Sequence, residues 1–207
     1  INFLWTDKSG APITVAPTGN ISEHSVALDR RMNTQIAWIE KKSNPLEYSV
    51  FVQRVDKNGT LAYGDGILVD KGSNQKSSLK ILTGNNGGSA VCWIDAQGGN
   101  SLIKFASIDS SGKLSGDVSV LATVDGIIKT MDVVTLSSGD HYFVWETAGK
   151  VKDIFHLLVS PKGDIKWGKG GRQAVSNQGT NTSPVAVEGG DSTIVISWIN
   201  DLNGDEN

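Results

Sequence analysis

Cysteine is nearly absent from the chain. Cys92 is the one thiol in 207 residues, so no intrachain disulfide can form and a disulfide-stapled scaffold is excluded. Secretion is not excluded, because a chain of this length can bury a core that stands without staples. Cys92 sits between Val91 and Trp93, a setting that suits a small buried side chain rather than an activated nucleophile. Arginine is scarce as well: Arg30, Arg31, Arg54 and Arg172 are all there are, in a chain of net charge −3. That is a poor set for gripping nucleic-acid phosphates. No apolar run approaches the ~20 residues a membrane-spanning helix needs, so membrane insertion is not expected. No phosphate-binding loop, dinucleotide fingerprint or Gly-x-Ser-x-Gly elbow appears. The chain opens Ile1-Asn2-Phe3 with neither Met nor leader, and is expected to be processed or a piece of something longer.

What the chain has is glycine, 24 residues against five prolines, and with it the promise of many tight turns. It also has a repeat. Four strand-like segments carry a tryptophan: Gln35–Glu40, Ala90–Asp95, Tyr142–Glu146 and Val195–Asn200. Their indoles, Trp38, Trp93, Trp145 and Trp198, lie 55, 52 and 53 residues apart. Between them falls a second marker, Asp56-Lys57-Asn58-Gly59, Asp109-Ser110-Ser111-Gly112 and Ser160-Pro161-Lys162-Gly163, with a further copy at Asp7-Lys8-Ser9-Gly10. Two independent markers sharing one period establish an internal repeat.

Each repeat reads as four short strands rich in Val, Ile, Phe and Trp, broken by Gly and Asn turns. The Trp strands are apolar on both faces, as in a sheet covered on both sides. A four-stranded unit of ~50 residues in tandem predicts an all-β fold, a β-propeller of four-stranded antiparallel blades. The blades are expected at 25–76, 77–130, 131–182, and 183–207 together with 1–24, in a single domain. The chain starts in the phase of a third strand and stops after a second, so the first reading is four blades with the N- and C-terminal strands sharing one. A piece of a longer propeller, or terminal strands exchanged between subunits to give an oligomer, are the rivals. In all three the four tryptophans are expected in blade cores.

The stretch Gln53–Val69 has an Asp- and Gly-containing turn, then the aromatic-Gly pair Tyr63-Gly64, then Gly66-Ile67-Leu68-Val69. Ser73-Asn74-Gln75 and Ser176-Asn177-Gln178 follow the same scheme, and Trp167-Gly168 repeats the aromatic-Gly pair. This resembles the repeat of bacterial secreted β-propeller proteins, a resemblance that covers essentially the whole chain, with a degenerate copy at Asp109–Val124. It implies a secreted or cell-surface protein. The turns also resemble the Asp-box of sialidase-like propellers, with Asp-x-x-Gly standing where those have Asp-x-Gly. Propellers host lectins, hydrolases and interaction platforms alike, so the fold does not choose among them.

Chemistry is harder to find. Sialidase-type hydrolysis would bring three arginines together, and nothing in the spacing does so. Glycoside hydrolysis by an acid–base pair would need two carboxylates. The acid that follows each Trp, Glu40, Asp95 and Glu146 (with Asn200 in the fourth copy), is the one patterned set. Such residues could line a rim and meet a ligand, or simply be strand-end groups facing water. His24, His141 and His156 are scattered without metal-ligand spacing. Asp201, Asn203 and Asp205 alternate along a tight loop and could wrap calcium, and no other cofactor is indicated. Trp5 and Trp167 are off the Trp-strand register and are the candidates for an exposed platform on which a sugar ring stacks.

These features point first to a non-catalytic recognition or display module whose ligand is a glycan or a protein. A sialidase-like glycoside hydrolase or other propeller enzyme is the second reading. A structural subunit linked through exchanged terminal strands is the third.

Overall fold

The computed structural model describes residues 19–84, 87–148, 153–175, 179–190 and 193–202. Fourteen strands are present among them, and no strand pair within a sheet departs from chain order. The first sheet is β1 (Asn20–Leu28), β2 (Thr34–Ser43), β3 (Leu46–Val55) and β4 (Ile67–Gly72). The second is β5 (Lys76–Thr83), β6 (Ser89–Gln97), β7 (Asn100–Ile108) and β8 (Ser119–Asp125). The third is β9 (Ile127–Thr135), β10 (His141–Ala148), β11 (Ile154–Val159) and β12 (Ile165–Gln173). β13 (Thr180–Glu188) and β14 (Ile194–Asp201) form a two-stranded sheet. The architecture is all-β, built from four-stranded antiparallel blades. Residues 1–18 and 203–207 lie outside the described set, and with them the sharing of one blade by the two termini. No helix among the described residues is long and apolar enough to cross a membrane.

By its contacts the chain divides into two compact units. One runs to Trp93 and adds Phe105–Val118; the other takes Ile94–Lys104 and all that follows Ser119. In the first unit, Trp93 is buried in a cluster with Ala37, Ile39, Val50, Val52, Leu79 and Ile81, so β5 and β6 pack their apolar face on the first sheet. On the other face of that sheet Trp38 stacks on Phe51 with ring centroids 5.3 Å apart. In the second unit Tyr142, Val144 and Ile154 pack against Ala186, joining the third sheet to β13. There Trp145 stacks on Phe155 at 6.1 Å. The pair recurs because in the first and third sheets an aromatic partner sits on the third strand, directly across the ladder: Trp38 opposite Phe51, Trp145 opposite Phe155. Cys92 is buried, and burial pushes its thiol well above the ordinary range, so it is inert packing.

Trp198 departs from its counterparts. Its indole is 39% exposed where the other three are at or below 1%. Among the described residues its sheet has two strands, and no third strand supplies the aromatic partner that covers Trp38 and Trp145.

The Asp-x-x-Gly marker is a hairpin turn, and its chemistry explains the residue choice. Asp56 Oδ1 accepts from the N–H groups of Asn58 and Thr60, both at 2.8 Å, and Gly59 closes the turn at φ 86°. Asp109 does the same for Ser111 and Lys113, with Gly112 at φ 91°. In the third sheet the Ser160 hydroxyl takes the acceptor role toward Lys162 and Asp164, with Gly163 at φ 90°. A short acceptor at the first position and a left-handed residue at the fourth define the turn.

The same turn joins β1 to β2, where the repeat marker is hidden. Asp29 Oδ1 accepts from Arg31 and Asn33 at 2.8 Å, but the fourth position is Met32, at φ 64°. A methionine there pays the left-handed penalty that glycine avoids, and its exposed side chain gains little in return. Met32→Gly is therefore expected to raise stability by about 0.5–1 kcal/mol, read as a higher urea midpoint at unchanged slope. A lower midpoint would contradict this account of the turn.

Candidate functional site

The acids that follow each tryptophan are buried. Glu40 accepts the Trp38 Nε1–H at 3.2 Å. Asp95 pairs with Lys104 at 3.1 Å. Glu146, 1% exposed, accepts the Thr130 hydroxyl at 3.2 Å and the Ser183 backbone N–H at 2.8 Å, with Lys129 at 3.5 Å. Each carboxylate thus meets partners supplied by the protein itself. The expectation of strand-end groups facing water fails at all three because the neighbouring strands close over these positions.

Other side-chain acceptors also reach from one sheet to the next strand. Glu23 and Ser25 of β1 accept from the N–H groups of Leu79 and Ile81 on β5, at 2.8 and 3.1 Å. Asp132 of β9 accepts from Ala186 on β13 at 3.1 Å. Glu188 takes the N–H and hydroxyl of Ser137. These bonds satisfy backbone donors that no ladder reaches.

Of the platform candidates, Trp5 lies outside the described residues. Trp167 is on β12, opposite Leu158, and is 38% exposed. Two aromatic neighbours hold it. The His156 ring meets it at 4.8 Å and 78°, and Tyr142 at 5.7 Å and 55°. Tyr142 in turn hydrogen-bonds His156 Nδ1 through its hydroxyl. Burial raises the Tyr142 pKa, so the phenol keeps its proton and can donate. Burial and the positive charge of Arg172 lower the His156 pKa, so the imidazole stays neutral at pH 7. The indole thus touches two aromatic rings while more than a third of it stays exposed.

Next to it stands Arg172, placed there by an irregular strand. Between the pairs Leu158↔Trp167 and His156↔Arg172, β12 spends five residues where β11 spends two. The residues between the two pairs are Gly168-Lys169-Gly170-Gly171, facing Leu157 alone, and all three glycines are left-handed, with φ of 79°, 74° and 93°. A side chain at Gly168 would sit 2.8 Å from the His156 carbonyl oxygen. The bulge folds because only glycine fits, and it brings Arg172 two rungs, about 7 Å, along the ladder from Trp167. Beyond Trp167, Lys166 Nζ pairs with Asp140 at 2.6 Å.

The corresponding aromatic in the first unit is Tyr63, also four residues past its turn glycine. It is spent on packing: Arg54 lies 5.1 Å over its ring, and Gly112 sits so close that a Cβ there would be 2.6 Å from it. An aromatic at this point of the repeat is therefore architecture in the first unit and an open surface in the second.

Beside the site, His141 is 2% exposed, with Thr135 Oγ1 3.0 Å from Nδ1. Burial lowers its pKa to about 4, against the raising effect of Asp140. The folded protein so prefers the neutral ring. Its contribution is whole above the unfolded value of 6.5 and drains as pH falls from there toward 4. Urea unfolding should show wild type losing stability across that window, and His141→Gln losing less. Equal losses would assign the effect elsewhere.

Of the calcium candidates, only Asp201 is within the described residues, paired with Thr180 at the end of β14; Asn203 and Asp205 are outside. No group of three His, Cys, Asp or Glu side chains among the described residues is arranged to hold a metal ion.

No protein-family model and no curated protein matches the sequence, so the repeat resemblance has no support from sequence families. Solved structures do match. A Dyadobacter fermentans protein of unknown function aligns with TM-score 0.60 and 13% identity, over 86% of this chain and 49% of its own. The Penicillium chrysogenum α-L-arabinanase, solved with arabinobiose, gives 0.60 and 16%, over 84% and 58%. The Bacteroides thetaiotaomicron endo-arabinase gives 0.50 and 10%, over 84% and 68%. The chain spans about half the length of the first two. At such identities the likeness defines the fold: this is a β-propeller of four-stranded antiparallel blades.

Proposed function

We propose that this chain is a non-catalytic propeller module that recognises a glycan, on a secreted or cell-surface protein. The observation that carries the reading is the exposed Trp167 indole, in contact with the His156 and Tyr142 rings and with Arg172 two rungs along the ladder. An aromatic face attracts the C–H edge of a sugar ring, and pre-ordered neighbours spare the entropy of fixing it. The arabinanase likeness is consistent with a carbohydrate ligand. The test is a glycan array with the whole chain, wild type and Trp167→Ala. Binding to a saccharide class, lost at least tenfold in the variant, is the expected result. Retention of full binding by the variant would remove Trp167 from the site.

The second reading, a glycoside hydrolase, draws on the same likeness. Against it stands the fate of the patterned acids: Glu40, Asp95 and Glu146 are committed to bonds inside the blades. Release of reducing sugar from linear arabinan, abolished by a single carboxylate replacement, would favour the hydrolase over the module.

A further inference from the structure

We infer that the Trp167 site takes an acidic glycan, one whose sugar units carry carboxylate or sulfate groups. The inference rests on the reading of Trp167 as a platform and adds the charge of what lands there.

Its basis is a segregation of charge that the repeat makes visible. From the residue before each turn glycine to the ninth after it, the first blade (58–68) has Asp65 as its one charge. The second (111–121) has Lys113 and Asp117, which cancel. The third (162–172) has Lys162, Lys166, Lys169 and Arg172 against Asp164, a net +3 in a chain whose total is −3. All four cations are exposed. The same architectural segment is thus neutral or acidic in two blades, and strongly basic only in the one that leaves its aromatic open.

The bulge sharpens the point. In the first blade the residue between the two glycines that follow the aromatic is Asp65; in the third it is Lys169, within a bulge one residue longer. That bulge needs three left-handed glycines, and what it achieves is the approach of Arg172 to the indole. A planar guanidinium presents paired donors suited to a carboxylate or sulfate, and Lys169 adds an unfixed positive charge at the bulge tip. Lys166 is already paired with Asp140 and Lys162 belongs to the hairpin turn before the strand, so of the four cations Lys169 and Arg172, in and just after the bulge, are the groups for the ligand's charge. A neutral saccharide would use the indole and leave this cluster idle.

The experiment is titration calorimetry of the whole chain with three probes: a galacturonic acid oligosaccharide, its fully methyl-esterified neutral form, and a sulfated galactan oligosaccharide. At low salt the two charged probes are expected to bind at least tenfold more tightly than the ester, with the advantage shrinking as salt rises. Which charged probe is the tighter distinguishes carboxylate from sulfate as the source of the charge. Arg172→Gln should bring the ratio of charged to neutral affinity near one; Lys169→Gln should lower it severalfold. Trp167→Ala should weaken all three probes. An ester that binds as well as the acid would overturn the acidic-glycan inference and leave the glycan reading standing. No binding by any of the three would overturn both. Both charge variants change exposed side chains, and a wild-type urea midpoint in each guards against misfolding as the cause.

Discussion

Trp145→Ala is expected to cost about 4 kcal/mol of stability, the range for truncating a large aromatic in a packed core. The indole is fully buried, stacked on Phe155 and pressed by Gly171. Its removal leaves a void that a sheet locked on both sides cannot fill, because the ladders of β9 and β11 fix the backbone around it. The comparison that gives the prediction force is Trp198→Ala. That residue has the same place in the repeat, yet its ring is 39% exposed and has no stacked partner among the described residues. Its truncation should cost about 2 kcal/mol, in proportion to the smaller area buried. Urea unfolding of the two variants side by side is the check. Similar losses would mean that repeat position, rather than burial, sets the energy.

Gly171→Ala should follow at about 3 kcal/mol, from two penalties that can be separated. Its φ of 93° strains any L side chain by about 1–2 kcal/mol. The added methyl would also strike the Trp145 ring, with Cη2 at 2.7 Å, and overpacking of this kind costs about 1–3 kcal/mol. Gly170→Ala isolates the first penalty, since its φ is 74° and nothing lies within 4 Å of where its Cβ would go. A loss at Gly171 no larger than at Gly170 would show that the ring yields. Because Gly171 precedes Arg172 directly, the Gly171 variant should also weaken the charged-probe preference more than its stability loss alone explains.

The fold was readable in the chain because two chemistries recur at one period. A Trp in an apolar strand announces a sheet covered on both faces, and an Asp four residues before a turn closes announces the hairpin. The β1–β2 hairpin turn around Arg30 and Arg31 is not legible as a copy of the marker because Met32 stands where glycine marks the others, although Asp29 makes the same two bonds. The acids were harder. A carboxylate at a strand end reads as solvated, and what buries Glu146 is Ser183, some 37 residues on, whose N–H is turned toward it at φ 53°. No local pattern records a donor supplied from that far away. Trp198 has a strand of the same apolar composition as the other three, but most of the residues expected to complete its blade, 1–24, lie outside the described set. At the site, Trp167 stood out by falling off the register. Its link to Arg172 did not, since five residues of β12 meeting two of β11 is a property of the ladder and not of the spacing.

The polar ties from one sheet to the next strand carry a lesson about growth by duplication. Glu23 and Asp132 sit on the first strand of their sheets and grasp main-chain amides 56 and 54 residues further along. An amide is offered by nearly every residue type, so such a clasp asks nothing of the side chain on the receiving repeat. A copied unit would therefore dock on its parent from the first generation, and its own sequence would be free to drift. The neutral segment of the second blade and the cationic one of the third show how different the sequences are that one such blade frame accepts.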